Sequence, residues 1–139
     1  MQVAAIMSSP VVAVDGEATL DDAVRAMLEN RVGSVLVIET GLWGILTRSD
    51  VLRALAIDGG TLSESEVTSV MTTDVATITP DATVERALRL MEEHEIKKLP
   101  VVADFEAVGI VTTTDIARHQ PERVREVRQT IRRRDDWTD

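Results

Sequence analysis

The sequence predicts an α/β (α+β) fold made of two β-α-β-β-α repeats packed with pseudo-two-fold symmetry. Three observations predict it. The chain matches itself when shifted by 64 residues: Met7 falls on Met71, Val11 on Val75, Ala18-Thr19 on Ala82-Thr83, Met27 on Met91 and Val37 on Val101. After one extra residue the register becomes 65, and Gly44-Ile45 falls on Gly109-Ile110, Thr47 on Thr112 and Asp50 on Asp115. Each copy alternates a helical apolar stripe with short β-branched runs. A half of roughly 60 residues is marginal alone, so two halves packing sheet against sheet bury far more apolar surface. The division read from this is 1–60, 61–120 and an Arg-rich C-terminal helix or tail, 121–139.

The elements follow in order. Thr19 caps a first helix, with Asp22 three residues on to complete a capping box. Leu20, Ala23, Val24, Met27 and Leu28 form its apolar stripe. Thr83 caps the twin, whose stripe is Val84, Ala87, Leu88 and Met91. Strand-like runs follow at 35–38 and 44–47, with counterparts at 99–102 and 108–112. A second helix starts near Ser49-Asp50 and stops at Gly59-Gly60. Its twin starts near Thr114-Asp115 and is cut at Pro121. Residues 58–66 read as the linker.

Composition narrows the function classes. The hydrophobic fraction is 44% but only 2% is aromatic, so aliphatic residues and Met fill the core. No apolar run approaches the roughly 20 residues needed to span a bilayer, and the N-terminus has no signal-peptide pattern. With no cysteine there is no disulfide, thiol nucleophile or thiolate metal site. A soluble cytoplasmic protein is expected. The net charge of −9 opposes nucleic acid and anionic membranes as partners. Residues 118–139 hold seven Arg against five acids, but the signs interleave and Trp137 is the one aromatic there. Val124, Val127 and Ile131 give that segment a narrow apolar stripe, which suits a solvated helix packing on the body or a partner.

The doubled segments Gly44-Ile45-Leu46-Thr47-Arg48-Ser49-Asp50 and Gly109-Ile110-Val111-Thr112-Thr113-Thr114-Asp115 carry the chemistry. Each runs off a strand into a helix N-terminus, where unpaired N–H groups and the dipole favour an anion. Thr47, Thr112, Ser49 and Thr114 add hydroxyls suited to phosphate. Asp50 and Asp115 each offer a carboxylate able to accept from two ribose hydroxyls. Capping alone would employ Ser49-Asp50 and Thr114-Asp115, but on this reading it leaves Thr47 and Thr112 unexplained, since they precede the cap.

Gly-apolar-apolar-Thr-x-Ser/Thr-Asp, doubled about 65 residues apart, resembles the ligand signature of tandem CBS (cystathionine-β-synthase-type) domains, the Bateman module. Ile96-Lys97-Lys98-Leu99-Pro100-Val101-Val102 is similar to that family's apolar-x-x-Leu-Pro-Val-Val strand. The resemblance covers residues 3–57 and 67–119. It implies a regulatory module binding AMP, ADP, ATP or a related adenosyl ligand in the cleft between the repeats, with no required cofactor. It further implies that Asp50 and Asp115 hold ribose rings, and that Thr47, Arg48, Ser49, Thr112, Thr113 and Thr114 meet ribose or phosphate. The backbone at Val12 and Ala76 would read the adenine edge. Val32, with Gly33 beside it, and Ile96 would sandwich the base with Ile45 and Ile110. Lys97 and Lys98 would reach phosphates, or serve as plain surface charges. Copy one departs from the pattern: Leu36 replaces the proline and no lysine pair is present. A homodimer and an unidentified effector protein are the implied partners.

The alternative is a structural or interaction module with empty clefts that mediates oligomerisation. No nucleophile–base pair or metal set is visible, so no enzyme is expected. His94 and His119 lack a second ligand at metal spacing and read as surface residues. Trp43 suits either a partner contact or a partly buried turn.

Overall fold

The structure is a computed structural model that describes residues 1–132. The chain divides into two compact units that interleave in sequence. Residues Val11–Val75 form one, here the first-repeat unit, and Met1–Pro10 join the chain from Ala76 onward in the second-repeat unit. The leading segment of each repeat therefore packs outside that repeat: 1–10 with the second, and 61–75 with the first. Sequence periodicity groups residues by ancestry, whereas compactness groups them by packing, and here the two differ.

The first-repeat unit contains β1 (Ala13–Val14), α1 (Leu20–Asn30), β2 (Ser34–Ile38), β3 (Leu42–Thr47) and α2 (Arg48–Ala56). Its sheet order is β1-β2-β3. β1 runs parallel to β2 with Ala13 opposite Leu36, and β2 pairs antiparallel with β3 from Ser34–Thr47 to Val37–Gly44. Thr19 caps α1 with the expected reciprocal box: Asp22 N–H donates to Thr19 Oγ1 and Thr19 N–H to Asp22 Oδ2. Leu20, Ala23, Met27, Val35, Val37, Leu46, Val51 and Ala54 form the core. Leu28, placed in the apolar stripe by sequence, is instead 73% exposed.

The second-repeat unit contains α3 (Val84–His94), β4 (Lys98–Ala103), β5 (Glu106–Thr112), α4 (Thr113–Ala117) and α5 (Pro121–Arg132). Thr83 caps α3. β4 and β5 pair antiparallel, with Lys98 opposite Thr112 and Val101 opposite Gly109. The counterpart of β1 shrinks to one parallel bridge, Ile78 opposite Val101. Proline explains the loss. In the first unit Leu36 N–H donates to Val12 O at 2.9 Å. Pro100 stands at the aligned place in the second and has no N–H to give.

Pro121 both ends α4's continuation and opens α5 as its first residue, a position where its missing N–H costs nothing. Val124, Val127 and Ile131 are buried with Leu88, Met91 and Ile116 in one core, so α5 packs on the body. Its Arg123 binds Glu85 of α3 at 2.7 Å, and this hydrogen bond holds the guanidinium pKa above its ordinary value. Among the described residues no helix is long and apolar enough to cross a membrane.

Candidate functional site

The site residues sit where β3 and β5 turn into α2 and α4. Thr47 is the N-cap of α2: Asp50 N–H donates to its Oγ1 at 3.2 Å, and its own N–H donates to Asp50 Oδ2 at 2.9 Å. Thr112 and Asp115 repeat this box at 3.1 and 2.9 Å, and the Thr112 hydroxyl also donates to Asp115 Oδ2. Both helices thus begin about two residues before the sequence reading put them. Thr47 and Thr112 do not precede the cap; they are the cap, and Asp50 and Asp115 are its third-residue partners.

The recurring glycine has a structural cause as well. A Cβ on Gly44 would lie 2.6 Å from Met71 Sδ and 2.8 Å from Thr72 O. A Cβ on Gly109 would lie 2.7 Å from Met7 Sδ and 2.9 Å from Ser8 O. Those backbones are bonded to the sheet edge, Thr72 with Ile45 and Ser8 with Ile110, through two N–H···O bonds each. The doubled Gly, Thr and Asp are therefore each accounted for by packing or capping. Their recurrence is not by itself a mark of ligand chemistry.

The helix N-termini are less open than the sequence implied. Arg48 N–H donates to Gly33 O at 3.1 Å, and Thr113 N–H to Lys97 O at 2.9 Å. With the caps also engaged, the Ser49 and Thr114 N–H groups remain, without a hydrogen bond to any described residue. Ser49 and Thr113 are buried, whereas Thr114 is exposed and its hydroxyl accepts from Arg128 Nη2 of α5 at 3.3 Å. Asp115 Oδ1 has no hydrogen bond from any described residue. Asp50 Oδ1 lies 3.7 Å from Arg53 Nη1, and its side chain is 16% exposed.

The flanking residues separate by repeat. In the first-repeat unit the Arg48 guanidinium lies over Gly33, about where a Cβ would be, at 3.0–3.2 Å. In the second, Lys97 replaces that glycine and Thr113 replaces the arginine, so the cation changes from helix to strand entrance. Lys97 and Lys98 are half-buried at the start of β4. Ile45 is buried, Ile96 and Ile110 are half-buried, and Val32 is exposed. Val12 and Ala76 are half-buried. The Val12 carbonyl is taken by Leu36, while no described residue donates to the Ala76 carbonyl.

One feature escaped the sequence reading. A cavity of about 250 Å³ opens beside α2, lined by Asp50, Arg53, Asp58, Ser65 and Ser69. Gly59-Gly60 and the Ser/Glu-rich linker were its only sequence signals. They read as a turn because nothing in them tells which helix the linker folds over. Trp43 closes the β1–α1 turn by resting its ring against Gly16 and stays 45% exposed. Both histidines are exposed. No group of three or more metal-ligating side chains exists among the described residues.

A family model described as CBS domain matches residues 3–57 and again 67–122. The chain belongs to the CBS-domain family. Its CBS repeats are 35% identical over 116 residues to the CBS domain-containing protein YhcV of Bacillus subtilis (strain 168), covering 82% of this chain and 81% of that one. They are 34% identical over 106 residues to the mitochondrial CBS domain-containing protein CBSX3 of Arabidopsis thaliana. That match covers 72% of this chain and 52% of that one, so the chain spans about half the length of this relative. Among solved structures, the CBS domain pair of protein MJ0100 in complex with 5-methylthioadenosine and S-adenosyl-L-methionine superposes with a TM-score of 0.79 at 27% identity. It covers 87% of this chain and 96% of that one. The first CBS match begins at residue 3, yet residues 3–10 lie in the second-repeat unit. This CBS pair thus exchanges its leading segments.

Proposed function

We propose that this CBS pair is a non-catalytic regulatory module that binds an adenine nucleotide or adenosyl compound of the AMP, ADP or ATP kind and passes its occupancy to a partner protein. The observation that carries the reading is the Asp115 carboxylate. Its Oδ2 is held by the Thr112 N–H and hydroxyl while its Oδ1 accepts from no described residue. A carboxylate fixed at one oxygen and open at the other is preorganised to accept from a vicinal diol, as a ribose presents. The similarity to a CBS pair solved with two adenosyl ligands supports the ligand class. Asp50, with its second oxygen facing Arg53, is the weaker ribose acceptor of the two. Self-association and residence in the cytoplasm complete the reading.

The test is calorimetry with AMP, ADP, ATP and S-adenosylmethionine on wild type and on Asp115→Asn. Asparagine keeps an oxygen for the Thr112 N–H but loses the charge, so the helix cap survives. We expect binding in wild type and a loss of about tenfold or more in the variant, the scale of one charge-assisted hydrogen bond. Equal affinity in both removes Asp115 from the site.

A second reading is an interaction module with empty clefts. Its support is that Gly44, Thr47 and Asp50 all have structural partners inside the first-repeat unit. Absence of heat with every adenosyl compound, together with a stable oligomer, would select it.

A further inference from the structure

α5 carries a charged side chain to the Asp115 site from outside the repeat. The second CBS match ends at residue 122, so almost all of α5 lies beyond it. Arg118, His119 and Gln120 alone separate α5 from α4, and the helix folds back along α4. Burial of Val124, Val127 and Ile131 fixes its rotation, and Arg128 then falls beside the start of α4. Its Nη2 donates to Thr114 Oγ1 at 3.3 Å. Among the described residues this is the guanidinium's one hydrogen bond, and it forms no ion pair there. Most of its N–H donors are therefore unspent. The Thr114 hydroxyl accepts from Arg128 and so keeps its own proton to donate.

Thr114 adjoins Asp115, whose Oδ2 takes both Thr112 donors. A ribose held on Asp115 has its 5′ substituent within one sugar's length of the carboxylate. If that substituent is a phosphate, two like charges stand close together and repel. A fixed cation nearby offsets the repulsion, and the planar fork of an arginine matches phosphate oxygens. A ligand without phosphate gains nothing from it. We infer that Arg128 reads the phosphate of the ligand and makes the Asp115 site prefer a phosphorylated adenosine. The inference rests on the adenosine binding at Asp115 proposed above and names the residue that selects the phosphorylated form. The Asp50 half lacks this device. The residue aligned with Thr114 is the buried Ser49, and the nearby Arg53 faces the Asp50 carboxylate itself at 3.7 Å.

The test is calorimetry on the full chain with AMP and adenosine, which differ by the phosphate alone. Wild type is expected to bind AMP more tightly. Arg128→Gln, at an exposed position that the fold does not depend on, is expected to lose about tenfold for AMP and less than about twofold for adenosine. Arg125→Gln removes an equal charge from the same helix, at a side chain that bonds to no described residue. It is expected to leave both affinities unchanged. An unchanged ratio of the two affinities in Arg128→Gln, or an equal change of that ratio in Arg125→Gln, overturns the assignment and leaves adenosine binding standing. Wild type that binds neither compound overturns the adenosine reading and this inference with it.

Discussion

Leu36 and Pro100 occupy the same place in two copies of one sequence, and the sheets around them differ. Leu36 donates its N–H to Val12 and β1 becomes a true parallel strand. Pro100 has no N–H, and the corresponding segment keeps a single bridge at Ile78. The same pairing of positions governs the helices. Leu52 of α2 is 47% exposed, while Ala117 of α4 is half-buried against the core that α5 joins. Duplication supplies two equal scaffolds, and single side chains then decide which backbone groups are spent and which faces are sealed.

That comparison can be sharpened by paired substitutions measured by chemical unfolding. The largest contrast is expected under α5. Leu88→Ala should cost about 3 kcal/mol, because α5 seals the site and prevents collapse around the void. Val24→Ala, at the open counterpart, should cost about 1 kcal/mol or less. Equal losses would mean that α5 does not cover α3. Next, Gly109→Ala should cost roughly 1–3 kcal/mol, since the Met7 sulfur can move but the Ser8 carbonyl, bonded to Ile110, cannot yield cheaply. Gly44→Ala should behave alike, and a large difference between the two would break the symmetry of the sheet edges.

Smaller effects test the caps and the strand. Asp50→Ala and Asp115→Ala should each cost about 1 kcal/mol through loss of the capping box, whatever ligand binds. Only Asp115→Asn separates binding from capping. Leu36→Pro should cost about 1 kcal/mol or more by orphaning the Val12 carbonyl, and hydrogen exchange at Val14 should quicken. Last, Phe105→Ser should shift stability by less than about 0.5 kcal/mol, because the ring is 91% exposed.

Much of this was legible in the residues. The repeat register, both capped first helices, the four main strands and the inward stripe of α5 follow from spacing alone, because periodicity reports which face is buried. The helix starts were misplaced by about two residues, since Ser49-Asp50 and Thr114-Asp115 are themselves good caps and Thr47 and Thr112 are equally good ones. Sequence cannot choose between adjacent cap candidates; the strand decides, because it ends where its ladder partner Ser34 or Lys98 ends. The candidate site was likewise half legible. Its residues were found, but the structural work that Gly, Thr and Asp perform was not, because Met7 and Met71 reach their glycines from segments dozens of residues away.

By itself, then, the sequence determined that there are two copies, the main helices and strands of each and most of the side chains that face inward, because these depend on local spacing and propensity; Leu28 and the first strand of the second repeat are the exceptions. Only the tertiary structure decided that residues 1–10 serve the second repeat and 61–75 the first, that α5 packs on α3 and α4, and that the Thr112 N–H and hydroxyl both donate to the same oxygen of Asp115. Those depend on which distant backbone segment arrives at a given edge, a choice settled by the packing of whole surfaces that no local pattern records.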